Sequence, residues 1–137
     1  MNAARSVATS GRKASGWSVH VLAAVAIGGT LGATGRWAVG SVWERSPGGW
    51  PWATLLVNLV GCVAIGLAAR RLQRETVAWA FAVTGILGGF TTFSAFAVEV
   101  DDLLDADHFG LGALYVAITL IGGYVGTAIA EGRRTTS

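Results

Sequence analysis

The sequence contains little charge and almost no cysteine. Only 13% of its 137 residues are Asp, Glu, Lys or Arg, whereas soluble domains carry about 25%. The single cysteine, Cys62, has no second cysteine to pair with, so an internal disulfide is excluded. The composition therefore argues against an ordinary soluble domain and against a disulfide-stabilised one.

Catalytic signatures are also missing from the sequence. It has no nucleotide-binding loop and no spacing typical of a metal cluster or a nucleophile–base pair. The net charge of +2 comes from short basic clusters that flank apolar segments. These observations argue against an enzyme and against nucleic acid as a partner.

Long apolar segments dominate what is present. Hydrophobic residues make up 53% of the chain, and the mean hydropathy is +0.55. Four segments lack charged residues over about the 20 positions that a helix needs to cross a bilayer, namely residues 15–35, 46–69, 76–98 and 109–130. We predict an all-α membrane protein with four transmembrane helices in one domain, residues 15–132. We expect a disordered cytoplasmic tail at residues 1–14 and a second cytoplasmic tail at 133–137.

The basic residues are distributed unequally between the two sides of this predicted bundle. Arg36 and Arg45 belong to one side, and the other side holds eight basic residues: Arg5, Arg12, Lys13, Arg70, Arg71, Arg74, Arg133 and Arg134. The positive-inside rule then places both termini in the cytoplasm.

Glycine is abundant, and six glycines form pairs four residues apart: Gly28 and Gly32, Gly85 and Gly89, and Gly122 and Gly126. Small residues at this spacing give a helix a smooth face that allows close contact with a second helix in lipid. We interpret these pairs as packing faces. A bundle of four short helices is thin, so a solute pathway would need a second copy or a partner.

Polar residues inside apolar segments need partners or a wet path. Thr54 and Asn58 share one face of the second helix, and Tyr115 and Thr119 share one face of the fourth. Asn58 could form an interhelical hydrogen bond or line a path. Arg36 could be an interfacial anchor, helped by neighbouring tryptophans, or a functional cation.

The segment GILGGFTTFSAF, residues 85–96, combines two adjacent glycines with three hydroxyl residues and three phenylalanines. Gly88 and Gly89, followed by Thr91, would allow the third helix to break near its middle and free carbonyl oxygens. Phe93 and Phe96 share a face, and the edge of a phenyl ring is positive. Taken alone, the pair fits a packed core or a small-anion site.

The sequence resembles the small fluoride channels called Fluc or CrcB. The resemblance is dispersed over all four helices, and the first three carry the motifs GGTLGATGRW, WATLLVNLVGC and GGFTTFSAFAVE in the family's order and spacing. Trp37 replaces the family's usual Tyr, and Ala95 replaces a common Thr, which puts any role of that hydroxyl in doubt.

The resemblance implies passive, fluoride-specific export that gives fluoride resistance at the plasma membrane. Phe93 and Phe96 would contact fluoride through their ring edges, and Asn58 and Ser94 would donate hydrogen bonds. The remaining pathway residues would be Thr54 and Tyr115 in the polar lining, Arg36 at a vestibule, and Glu99 after the aromatic pair.

The resemblance also implies a dimer of antiparallel subunits with two pores. Carbonyls of Gly88 and Thr91 from both subunits would hold a structural Na+ that is not transported. A homodimer requires each chain to insert in both orientations, which the eight-to-two charge bias opposes. We therefore hypothesise pairing with an oppositely oriented homologue, with the homodimer as the alternative.

Two other functions fit a chain of four helices. A small proton-coupled multidrug exporter needs a membrane-embedded carboxylate, usually in the first helix, and this first helix has none. A non-transporting assembly subunit would explain the glycine pairs. It would not explain Arg36, Asn58 and a broken third helix together.

Overall fold

The computed structural model describes residues 18–43, 45–46 and 48–132. Within these ranges the fold is helical and contains no strand. The predicted tails, and with them Arg5, Arg12, Lys13, Arg133 and Arg134, lie outside the described residues. Five helices follow one another: α1, Val19–Val42; α2, Trp52–Arg71; α3, residues 77–90; α4, Phe93–Asp105; and α5, Phe109–Glu131.

Local signals set most helix ends. Ser18 caps α1 by accepting from the amide of Val21 at 3.4 Å, and Thr76 caps α3 by accepting from the amide of Trp79 at 3.1 Å. Gly132 ends α5 with a φ of 72°, which favours glycine because it has no Cβ.

The first two helices differ in extent from their predicted segments. α1 continues to Val42 rather than ending at position 35, so Arg36 lies inside the helix. α2 begins at Trp52 rather than at position 46, because Gly48 has a φ of 68° and Pro51 immediately precedes the helix. A stretch without charge therefore does not mark the limits of a helix.

The predicted break in the third helix is present, but the glycines do not form it. α3 contains an eight-residue π-helix, Ala80–Leu87, and Gly88–Phe90 continue the helix beyond it. Thr91 and Thr92 are extended, with ψ of 156° and 128°, and α4 begins directly afterwards. The helix therefore breaks after the glycine pair, at the two threonines.

The glycines instead allow α1 and α3 to pack closely. Gly85 lies so near α1 that a Cβ there would be 2.9 Å from the Cα of Gly28. A Cβ on Gly89 would collide with the carbonyl oxygen of Gly29, and one on Gly32 with that of Ile86. Two of the predicted glycine pairs thus face each other across one helix contact, as small-residue packing in membranes requires.

The third pair serves the contact between α2 and α5. A Cβ at Gly122 would lie 3.0 Å from Leu59, and one at Gly126 would lie 3.0 Å from Val63. Beside this contact, α2, α4 and α5 enclose a small core formed by Leu55, Phe96, Leu103 and Tyr115.

Three of the four predicted spans are long and apolar enough to cross a membrane: Trp52–Arg71, Val77–Asp105 and Phe109–Glu131. Large apolar side chains such as Leu120, Ile121 and Ile129 are more than 60% exposed, as expected of surfaces that face lipid or another subunit. α1 has 24 residues, about 36 Å at 1.5 Å per residue. It is not one of the three helices named above.

Candidate functional site

Asn58 joins α2 to the break between α3 and α4. Its side-chain oxygen accepts from the amide of Thr92 at 2.9 Å, and its side-chain nitrogen donates to the carbonyl of Thr92 at 3.0 Å. A break leaves backbone groups without helical partners, and such groups are costly in a membrane. Of the two readings of Asn58, the structure shows the interhelical hydrogen bond, in a two-bond form that satisfies both backbone groups of Thr92.

Two further contacts stabilise the ends created by the break. Arg36 donates from Nε to the carbonyl of Gly89 at 3.2 Å. Thr92 caps α4 by accepting from the amide of Ala95 at 3.2 Å. Arg36 therefore contacts the end of α3 from within α1, and Ala95 contributes its backbone although it lacks the hydroxyl of threonine.

The same contacts change the surroundings of the two carbonyls predicted to bind Na+. The amide that would bond the Gly88 carbonyl in a continuous helix belongs to Thr92, which donates to Asn58 instead. The corresponding amide for the Thr91 carbonyl belongs to Ala95, which donates to the hydroxyl of Thr92. Both oxygens have thus lost their usual helical donors. Across residues 18–43, 45–46 and 48–132, His, Cys, Asp and Glu form no cluster able to hold a metal.

Phe93 and Phe96 form an aromatic pair at the start of α4. Their ring centroids are 5.7 Å apart and their planes are inclined by 42°. Phe93 is 79% exposed, whereas Phe96 is 9% exposed and packs 5.2 Å from Tyr115. Ser94, exposed beside them, has its hydroxyl 3.2 Å from that of Thr92. One ring of the pair is held in the core and the other is free to meet a ligand or a second subunit.

Glu99 lies one helical turn beyond this pair and collects two hydroxyl donors. Thr54 donates to Oε1 at 2.6 Å, and Tyr115 donates to Oε2 at 2.7 Å. Nη1 of Arg45 is 3.9 Å from Oε1, and Nη2 of Arg45 contacts Asp102. The carboxylate is therefore oriented by α2 and α5, with a guanidinium close by.

The predicted pathway residues fall into two regions rather than one. A groove of about 460 Å³ is lined by Asn58, Thr91, Phe93 and Phe96, together with Cys62, Ile65, Thr92, Thr119, Leu120, Gly123, Tyr124 and Thr127. Thr54 and Glu99 line a separate cavity of about 340 Å³, and the other predicted pathway residues, Arg36, Ser94 and Tyr115, line neither. Phe96 packs on Tyr115, whose hydroxyl bonds Glu99, and so links the two regions.

Several lining residues were not foreseen as part of the site. The sequence predicted Arg45 only as a loop charge, because nothing in it connects Arg45 with Asp102, 57 positions away. The hydroxyl of Thr119 is buried in the groove without a hydrogen-bond partner in the part of the chain that the structure describes. Its spacing of four from Tyr115 was the available signal.

Known proteins resemble this chain over most of its length. The family model described as "CrcB-like protein, Camphor Resistance (CrcB)" matches residues 23–131. The chain is 42% identical over 120 residues to "Fluoride-specific ion channel FluC 2" of Streptomyces avermitilis, across 80% of this chain and 73% of that protein.

Two further relatives carry a related name. Identity is 46% over 110 residues to "Fluoride-specific ion channel FluC" of Bordetella petrii, across 77% of this chain and 84% of that protein. Identity is 43% over 106 residues to the protein of the same name from Agrobacterium fabrum, across 73% of this chain and 84% of that protein. With a family match over 23–131 and relatives of this similarity, the chain belongs to the CrcB family.

Proposed function

We propose that this chain forms a fluoride-specific ion channel that exports fluoride passively from the cytoplasm and so gives fluoride resistance. The observation that carries the proposal is the groove in which the Phe93–Phe96 pair lies beside the hydroxyl and amide groups of the helix break. The names of the relatives point to the same ion. Membership of this family argues against the exporter and the assembly subunit.

Fluoride holds its hydration water tightly, so a selective path must replace that water without binding the ion too strongly. Ring edges supply weak positive potential without a full charge. Asn58 uses one of its two side-chain N–H bonds on Thr92 and keeps the second for an ion. Ser94 adds an exposed hydroxyl that can turn toward an anion. These groups would conduct fluoride past Phe93 and Phe96.

Beyond the aromatic pair, Thr54, Tyr115 and Glu99 would form the polar lining. The two hydroxyls donate to the carboxylate, which spreads its charge and holds it in a fixed position. Arg36 would attract anions toward the path from α1. Its Nε is occupied by Gly89, and the remaining guanidinium donors are available for this role.

The groove needs a second subunit to become a closed path. Phe93, Leu120 and Tyr124 on its border are 79%, 62% and 77% exposed. A second chain in antiparallel orientation would cover this border and create two equivalent paths. We infer that α1 also crosses the bilayer, which gives four spans in the plasma membrane with both termini in the cytoplasm.

The carbonyls of Gly88 and Thr91 fit a structural Na+. Both lack their usual helical donors, and carbonyl oxygen is a hard ligand suited to a small hard cation. A single chain offers two such oxygens, so four would come from a dimer. When bound, the ion would supply a fixed positive charge that holds the two breaks together.

The partner in the dimer is a separate question. Three of the basic residues that bias insertion, Arg70, Arg71 and Arg74, lie at the end of α2 and in the connection that follows it. We propose that this chain inserts mainly in one orientation and pairs with an oppositely oriented homologue. Reporters fused to the C-terminus test this, since equal insertion in both orientations would leave the homodimer as the assembly.

Growth of fluoride-sensitive bacteria that lack their own fluoride channel tests the proposed function. Expression of this chain, with a homologue from the same genome where one exists, should restore growth in fluoride. Phe93→Ala should abolish rescue. Val98→Ala is the matched control, because it changes another exposed residue of α4 outside the groove. Equal rescue by both variants, or no rescue by the unaltered chain expressed normally with and without the homologue, would contradict the proposal.

A further inference from the structure

Two cavities meet at Arg45 near the connection between α1 and α2. The cavity of about 340 Å³, here called the inner cavity, is lined by Gly40, Trp43, Arg45, Trp50, Pro51, Trp52, Ala53, Thr54 and Glu99. A second cavity of about 520 Å³, the outer cavity, is lined by Arg45, Gly48, Asp102, Asp105 and Ala106. Arg45 borders both, so its side chain separates the acidic surface from the Thr54–Glu99 network.

Two buried donor groups belong to residues that line the inner cavity and have no hydrogen-bond partner among the described residues. Nη1 of Arg45 and Nε1 of Trp50 are both buried, and neither has a partner among the residues that the structure describes. Oε1 of Glu99 is 3.9 Å from Nη1 of Arg45, beyond hydrogen-bond distance. Buried donors are normally satisfied, so two such donors bordering one cavity point to a bound acceptor.

The carboxylate that borders the cavity already accepts from other groups. Each oxygen of Glu99 receives one hydroxyl, from Thr54 or from Tyr115. Trp50 is held in place by its edge contact with Tyr115, whose ring centroid is 5.9 Å away. Glu99 is therefore held by two other hydroxyls, and its Oε1 lies too far from Nη1 of Arg45 for a hydrogen bond.

We propose that the inner cavity is a binding site for a small monovalent anion, which accepts from Nη1 of Arg45 and Nε1 of Trp50. The proposal rests on the proposed function in one respect, because fluoride would dock here before it reaches the Glu99 network. Asp102 and Glu99 flank the guanidinium, and their two negative charges outweigh its single positive charge, so the anion is held by the two N–H donors against an unfavourable local charge. Binding is therefore weak, as release from a channel entrance requires.

Tryptophan fluorescence tests the site, because Trp43, Trp50 and Trp52 all line the cavity. Iodide and the neutral quencher acrylamide are titrated against the purified, full-length chain in lipid nanodiscs. Arg45→Gln should lower the quenching constant for iodide about twofold, since a fixed charge raises the local concentration of its counter-ion. Arg45→Lys should retain most of it, and acrylamide quenching should not change.

Two further variants make the result specific to this charge. Asp102→Asn frees Arg45 from its partner and should raise iodide quenching. Arg71→Gln removes an equal charge from the exposed end of α2 and should leave quenching unchanged. The proposal is overturned if iodide and acrylamide quenching stay in the same ratio in all variants, which would mean that the cavity holds only water.

Fluoride efflux from liposomes separates this proposal from the proposed function. Arg45→Gln and Trp50→Phe should raise the half-saturating fluoride concentration severalfold while the maximal rate stays similar. Iodide quenching that depends on Arg45, without fluoride efflux by the unaltered chain either alone or with a co-expressed homologue, would keep the anion site and reject the fluoride channel. Efflux with unchanged saturation in both variants would keep the channel and reject the site.

Discussion

Replacing Asn58 with alanine should destabilise the protein through the helix break. The substitution removes the two hydrogen bonds, of 2.9 and 3.0 Å, that satisfy the amide and the carbonyl of Thr92. Leaving a buried backbone group unpaired costs about 1–3 kcal/mol. Thr92 is only partly buried, so we take the low end for each group and expect a loss of about 2 kcal/mol in the free energy of unfolding.

Equilibrium unfolding in mixed micelles of increasing SDS content measures this loss. Thr34→Ala is the control, because it also removes one polar side chain, but one whose hydroxyl bonds only its own helix, at the carbonyl of Thr30. We expect this control to change stability by less than about 0.5 kcal/mol. Hydrogen exchange gives a local readout, in which the amide of Thr92 should exchange faster in the Asn58→Ala variant.

A loss in Asn58→Ala no larger than in Thr34→Ala would refute the reasoning. It would mean that water or a neighbouring side chain satisfies Thr92 equally well. A higher free energy of unfolding together with faster amide exchange at Thr92 would also contradict it, because the local and global effects would then have different origins.

Three other predictions concern packing and access. Gly32→Ala should reduce stability by at least about 2 kcal/mol in the same SDS titration, because its Cβ would collide with the α3 backbone. Gly40→Ala should have little effect, because a Cβ there would have nothing within 4 Å. Tyr115→Phe, which deletes one of the two hydroxyl donors to Glu99, should slow fluoride efflux severalfold with less than about 1.5 kcal/mol lost in stability. Cys62 borders the groove. A bulky methanethiosulfonate reagent should therefore block efflux from the unaltered chain and leave the Cys62→Ala variant unaffected. Equal block of both would contradict this position of the thiol.

The apolar segments predicted much of the helical architecture, because the hydropathy of a segment depends only on the residues within it. Three of the four segments became helices long and apolar enough to span a membrane. α1 is the exception: it contains several glycines and threonines as well as Arg36, and it is not one of those three helices. Its glycines nevertheless predicted a real packing face, against α3.

The position of the helix break could not be read from the glycines alone. Gly88 and Gly89 weaken an isolated helix, but close contact with Gly29 on α1 holds this one together. Thr92 instead leaves the helix because its amide and carbonyl find a better partner in Asn58. The π-helix within α3 was equally hidden, since a shift of one residue in hydrogen bonding leaves no periodic pattern in eight residues.

The candidate site was foreseen as a set of residues but not as an arrangement. The resemblance named Phe93, Phe96 and Glu99 together, whereas the structure separates the groove from the Glu99 cavity. Arg45 was missed because its contacts with Asp102 and Glu99 join a loop to the far part of α4. Such contacts depend on how α1, α2 and α4 pack, which local sequence patterns do not reveal.

The most direct test of the central claim is efflux of fluoride against chloride from liposomes that contain the purified protein, followed with ion-selective electrodes. The chain, alone or with a co-expressed homologue from the same genome, should release fluoride rapidly and retain chloride. Release by the chain alone would also decide for the homodimer. Equal release of both anions, or no fluoride release from either preparation, would contradict the claim that this protein is a fluoride-specific channel.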